Sequence, residues 1–333
     1  KLLISAANRR MLVRSRFVVV LHIMFLPTQT ARAFCVCCQA TCQGRARSFA
    51  GASSSLPSVT AVATSLATDL PFDTHSHLHT ASEDLLENFP PSNFQSLCLR
   101  SSAELIDRAG TSNSKHVISI GLHPWNIEPS LADPHALKAE ALKTEAGQLI
   151  QRARVNGNLV MVGETGLDFA MLKNLKPAEK DLHKQAQLNA LTALATLGPP
   201  LSLHCVRADQ DLRQCLSSSF LSCDSPPKFI VLHGSNFKDV GGWLSWERKL
   251  RADVRVMFGV CSRHVSTKAD LQVLLAKNSD LSSRLLLESD GMDPSTWEEE
   301  MRNGIRLVDG VSWTDNWNWC LEVLESERDE KIR

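Results

Sequence analysis

Residues 159–168 read LVMVGETGLD. The run opens with four consecutive apolar residues and reaches a carboxylate at Glu164. An apolar run with no alternation fits a strand buried on both faces, as in a parallel sheet flanked by helices. A charge at the end of such a strand is either a polar cap or part of a site. The other runs of the chain decide between these.

Seven further stretches resemble 159–163: LPFDT (70–74), QSLCL (95–99), HVISIG (116–121), PLSLH (200–204), FIVLH (229–233), VRVMFG (254–259) and RLLLE (284–288). Helical patterns lie between several of them. Residues 133–154 carry apolar positions three and four apart, and 177–198 has Pro177 near its start and Gly198 at its end, the expected start and stop signals. A last helix with a charged tail follows from Ser312 onward. Eight strands alternating with helices over about 260 residues predict a single (β/α)8 TIM barrel. A doubly wound open sheet is the structural rival, but no Gly-rich nucleotide fingerprint supports a nucleotide-binding form of it.

Residues 1–68 hold eight Lys or Arg and no Asp or Glu, so of the 36 basic and 36 acidic residues, 28 and 36 fall in 69–333, a formal net of −8. The first segment is basic, free of acids and rich in hydroxyl residues, with an apolar stretch, FVVVLHIMFL, before an Ala-x-Ala ending at Ala33. That is how targeting segments read. It resembles the bipartite leader of complex plastids, which implies delivery to that organelle. A misplaced gene start, the chain opening on Lys1 rather than Met, would leave a cytoplasmic protein. The apolar stretch is too short to span a bilayer, so no membrane association is expected once the leader is removed. Residues 1–68 are therefore expected to be a leader outside the fold, with the barrel at 69–333. Six of the ten cysteines are scattered through the body and read as small buried hydrophobes.

In a barrel, chemistry sits at the C-terminal ends of the strands. Those ends carry His75 and His77, then His123, Glu164, His204, His233, and finally Glu288 and Asp290. One histidine after an apolar run is usually a satisfied cap. Metal-ligand residue types at six strand ends, five of the eleven histidines among them, point instead to one shared site. His75 and His77, two apart, face the same side of a strand. Imidazoles mixed with carboxylates suit zinc, manganese or iron more than magnesium alone. Six ligands exceed one tetrahedral zinc with an open position but serve two divalent metal ions bridged by a carboxylate. Glu164, in the middle of the set, is the natural bridge. Glu288 is placed to orient a metal-bound imidazole, as is Asp73, which shares the parity of His75 and His77.

The ordered motifs DTHSHL, GLHPW, VGETGLDF, LHCVRA, VLHGSNF and LLLESDG resemble those of the TatD-like metal-dependent hydrolases, from about Leu70 to Asp293. GLHPW and ESD are more similar to a eukaryotic branch than to bacterial members. The resemblance implies that His75 and His77 hold a first metal, His204 and His233 a second, and that Glu164 bridges them. It implies that Asp290 is a catalytic carboxylate touching the first metal, and that His123 contacts the substrate phosphate. Arg207 stands where the family often has a basic residue and could hold a phosphate. There are departures. His79 stands where the family often has Asp, and Ser235, Asn236 and Phe237 replace an aromatic-Ser-Gly.

The expected function is hydrolysis of phosphodiester bonds by a dinuclear Mg²⁺, Mn²⁺ or Zn²⁺ site, with single-stranded or end-accessible DNA as substrate. Hydrolysis of another ester or an amide is the alternative. A non-catalytic scaffold is a third, disfavoured because all six ligands are present. Trp125, in the GLHPW loop, could stack on a base. The other tryptophans after Trp125 are expected mostly as outer-helix packing, and His183 and His264 as surface or helix-face residues.

Overall fold

The computed structural model describes residues 73–76, 94–98, 117–133, 137–235, 237–250, 253–264, 268–290 and 294–332. The expected leader, His77 and His79 lie outside the described residues. Seven strands follow in chain order: β1 (Phe94–Cys98), β2 (Val117–Gly121), β3 (Leu159–Asp168), β4 (Leu201–Val206), β5 (Phe229–Leu232), β6 (Arg255–Cys261) and β7 (Leu285–Glu288). Each pairs in parallel with the next, in sequence order.

Helices α1 (Leu137–Val155), α2 (Pro177–Ala195), α3 (Asp209–Leu221), α4 (Val240–Lys249), α5 (Lys268–Lys277), α6 (Pro294–Leu307) and α7 (Trp313–Ile332) connect and cover the sheet. Their boundaries follow from side-chain chemistry. Pro177 opens α2, where a missing N–H costs nothing, and Glu179 accepts the Lys176 backbone N–H at 3.3 Å. Along α1, Leu142, Ala146, Ile150 and Ala153 bury one stripe, at the three- and four-residue spacing of a single helix face.

The sheet is curled. Thr74 donates its backbone N–H to Leu287 O at 2.9 Å, and Asp290 donates to His75 O at 3.1 Å. Residues 73–76 therefore run beside β7. Yet the His75 ring lies 3.5 Å from Glu164 on β3. In a flat sheet those positions would be roughly 24 Å apart, five strand spacings. The expected first strand, 70–74, falls mostly outside the described residues, and Asp73–Ser76 carries only an isolated bridge at Ser76. Closure through eight strands is not seen among the described residues.

Alternation along the strands separates two apolar layers. Ile118, Val160, Val162, Leu201, Leu203, Ile230, Val256, Phe258 and Leu287 face out against the helices. Val117, Leu159, Met161, Phe229, Val231, Met257 and Leu286 face in, and Trp317, Cys320 and Leu324 of α7 pack onto them. Trp317 is thus part of the floor of the curled sheet rather than outer-helix packing. Cys261 and Cys320 are buried and free, as small hydrophobes.

Candidate metal centre

The next inward positions along the same strands are polar. Beyond Val231 comes His233, beyond Leu286 comes Glu288, and on β4 the residues between outward Leu201, Leu203 and Cys205 are Ser202 and His204. Glu164 reaches this layer by an irregularity. Leu159 and Met161 face in, so strict alternation would turn Glu164 outward. The β3–β4 register shifts between Val162 and Thr165, and this bulge brings Glu164 inside. β3 then continues to Asp168 rather than stopping at Gly163 as the sequence suggested.

Glu164 stands at the centre. Its Oε1 lies 2.8 Å from His204 Nδ1, 3.4 Å from His123 Nε2 and 3.7 Å from His233 Nε2, and its Oε2 lies 3.5 Å from His75 Nε2. Among the described residues two groups have ligand atoms within 4.8 Å of one another, His75–Glu164–His233 and His123–Glu164–His204, and Glu164 belongs to both. Asp290 Oδ1 is 3.5 Å from His233 Nε2.

Polar contacts on the far side of each ring set what it offers to the centre. His75 Nδ1 meets Ser202 Oγ at 3.3 Å, and His233 Nδ1 meets Glu288 Oε2 at 3.2 Å. A proton kept on Nδ1 leaves the Nε2 lone pair free for a cation. His123 is arranged the other way. Its Nδ1 accepts the Trp125 backbone N–H at 3.2 Å, so the neutral ring carries its proton on Nε2 and faces Glu164 as a donor. Glu288 fits because Gly259 opposite has no side chain, and a Cβ there would lie 2.0 Å from the Glu288 carboxylate.

The charges are strongly coupled. Burial alone would raise the Glu164 pKa, but His123, His233 and His204 hold it well below the ordinary carboxylate value. Burial opposes protonation of His204, yet Asp168 and Glu164 raise its pKa to about 9. For His233, Glu164, Glu288 and Asp290 overcome the same burial and raise it to about 10. His75 and His233 nevertheless stack with centroids 3.7 Å apart, a poor arrangement for two cationic rings. The buried His204 Nε2 has no hydrogen bond of good geometry. Neutral imidazoles around a bound cation would relieve both, so the donor set fits divalent metal.

Three residues make contacts that the sequence did not reveal. Asp168 Oδ2 is 3.5 Å from His204 Nε2 and accepts the Trp125 indole N–H at 2.7 Å. Burial would raise its pKa, but His204, Trp125 and the Met171 backbone lower it to about 2. His264 is exposed, as expected, but it also lies edge-on to His233 at 6.3 Å, over Gly234, whose φ of 54° and bare Cα make room. Trp297 packs in the outer layer, as expected, and also donates its indole N–H to buried Asp73 at 2.7 Å. Asp73 also accepts from Ser289 and from the His75 backbone N–H, and so locks the backbone on both sides of the site. Arg207 stays exposed past the end of β4 with φ 57°, and no ion pair joins it to the cluster among the described residues.

No curated protein matches the chain. Solved structures similar to it include YjjV, a TatD homologue from Escherichia coli K12, at 18% identity and TM-score 0.47, covering 76% of this chain and 95% of that one. A TatD-family hydrolase from Entamoeba histolytica is 15% identical with TM-score 0.47, covering 78% and 96%. The family model described as TatD related DNase matches residues 72–311. Its span includes every residue of the cluster around Glu164, and the chain belongs to the TatD-related DNase family.

Proposed function

We propose that the protein is a dinuclear metal-dependent deoxyribonuclease that cleaves phosphodiester bonds in single-stranded or free-ended DNA. The observation that carries this is Glu164, whose carboxylate lies 2.8–3.7 Å from ring nitrogens of His75, His123, His204 and His233 at the C-terminal ends of the strands. Residues 73–76, which run beside β7, would belong to the strand that completes an eight-stranded barrel. His75, His77 and Asp290 would hold one cation and His204 and His233 the other, with Glu164 between them. Divalent cations held there would supply Lewis acidity to a phosphoryl oxygen and lower the pKa of the attacking water.

The chain's own groups do the rest. Asp290, only partly exposed and next to His233, accepts the proton of the water. His123 offers its Nε2 proton to a phosphoryl oxygen, the role left to it by the hydrogen bond at Nδ1. Glu288 and Ser202 hold the ring orientations of His233 and His75. Arg207, exposed beyond β4, would neutralise a neighbouring phosphate. With a net charge of −8 in 69–333, binding rests on this local site rather than on a broad basic surface. The N-terminal segment would direct the protein to an organelle.

Metal analysis of the purified protein should return about two equivalents of divalent ion. With added Mg²⁺ or Mn²⁺ it should degrade single-stranded DNA from a free end. Full activity without metal would overturn the proposal. Inertness toward DNA with turnover of another ester would place the chemistry elsewhere in the family's range.

A further inference from the structure

At the rim above β2 and β3 an indole is both fixed and open. Trp125 lies in the short turn Pro124–Asn126. Its Nε1–H is tied to Asp168 Oδ2, and its ring stands edge-on to His123 at 5.0 Å and to His204 at 6.5 Å. Asp168 is itself anchored, since Oδ1 accepts the backbone N–H groups of Ala170 and Met171 at 2.9 and 3.1 Å. Buried Gln187 accepts the Asp168 N–H at 2.9 Å and reaches Met171 Sδ at 3.5 Å. Trp125 is still 42% exposed, the one aromatic among the large exposed hydrophobics of the described residues, and Met171 on the same anchored stretch is 37% exposed. The polar edge of the indole is satisfied, so what remains open to water is apolar surface. Packing alone would have buried it.

We propose that this latched indole, extended by Met171, is a stacking subsite for an unpaired nucleobase next to the cleaved phosphate. The inference rests on the nuclease reading above and adds the feature of the substrate that is selected. A base inside a duplex has both faces covered by its neighbours, whereas an unpaired or terminal base can offer one to the indole. The latch to Asp168, which also faces His204, fixes the distance from the stacked base to the metal-ligand cluster. Ordering a bound base then costs little, because the indole is already held.

The test compares two chains of equal length, a single-stranded oligodeoxynucleotide and the same sugar–phosphate chain made abasic. The protein should prefer the first by about tenfold to a hundredfold in kcat/KM. In Trp125→Ala that ratio should collapse toward one, and in Trp125→Phe, which keeps a ring without the latch, it should be intermediate. An equal loss on both chains in Trp125→Ala would overturn the subsite. A second measurement reads it without chemistry. The oligonucleotide should quench tryptophan fluorescence of the metal-stripped protein, and Trp125→Phe should lose that quenching although six other tryptophans remain of the chain's seven. Undiminished quenching would overturn the subsite. Cleavage of neither chain by the unaltered protein would overturn the nuclease reading instead, and quenching would still decide the stacking.

Discussion

β5 and the residue that follows it carry both chemistries of the molecule within five residues. Phe229 and Val231 face into the curled sheet and pack with Trp317 of the last helix. His233, the next inward position, lies against Glu288, Glu164 and Asp290. β7 repeats the pattern, with Leu286 in the floor and Glu288 in the site. The floor holds by burial and close packing, so any void there is a loss of stability. At the other end buried charges face one another at the cost of desolvation, and what they gain is a place for ligand. The two ends should therefore respond to substitution in different observables.

The largest expected effect belongs to the polar end. Asp290→Ala removes the proposed proton acceptor from a partly exposed position. The rate of DNA hydrolysis should fall by at least about 10³-fold, with thermal unfolding nearly unchanged. Retained turnover would move the catalytic role to another carboxylate.

The floor should behave in reverse. Phe229 is fully buried, and Phe229→Ala should cost about 3–5 kcal/mol by lost transfer energy and a residual cavity. Chemical denaturation would read the loss, while kcat/KM per folded molecule stays as it was. A fall in kcat/KM without a fall in stability would break the separation between the two ends.

A smaller effect tests how the layers meet. Glu288 is buried, holds His233 Nδ1 and accepts the Gly234 N–H at 2.9 Å. Glu288→Gln keeps the shape and removes the charge. Metal affinity should drop by about 10- to 100-fold, read by equilibrium dialysis, with the fold intact. Unchanged affinity would reduce Glu288 to a packing residue.

The apolar half of this design was readable in the sequence, because strands buried on both faces of a parallel sheet are continuous apolar runs. The expected 95–99, 116–121 and 254–259 stand as Phe94–Cys98, Val117–Gly121 and Arg255–Cys261. The sequence reading ends β3 at Gly163, because Gly, Glu and Asp are weak strand formers; pairing with β4 as far as Val206 carries it to Asp168. The inward turn of Glu164 depends on a bulge that alternation cannot anticipate. Past that bulge Asp168 shares the parity of Glu164, which is the one signal that could have found it. His264 had none, because its approach to His233 depends on a left-handed backbone at Gly234.

Arg284 is a charged exception at the apolar end, and it gives the smallest effect. Arg284, nearly buried at the start of β7, donates to Glu247 and Asp280 at 2.6 and 2.7 Å and to Val256 O at 3.1 Å. These charges are paired within the fold, so they belong with stability. Burial would raise the pKa of Asp280, but its bonds and charge contact with Arg284 prevail and lower it. A lowered folded-state pKa adds stability above the unfolded value of about 3.9 and loses it as pH falls through the folded value. Because the Asp280 side chain is 58% exposed, solvent screens the pair, and Asp280→Asn should cost no more than about 1 kcal/mol at neutral pH. The difference from the unaltered protein should vanish in acid, once the carboxyl is protonated in both states. A deficit in Asp280→Asn that persisted at low pH would mean that the residue acts through packing or hydrogen bonding, and a change in DNA cleavage would mean that the two ends of the sheet are coupled.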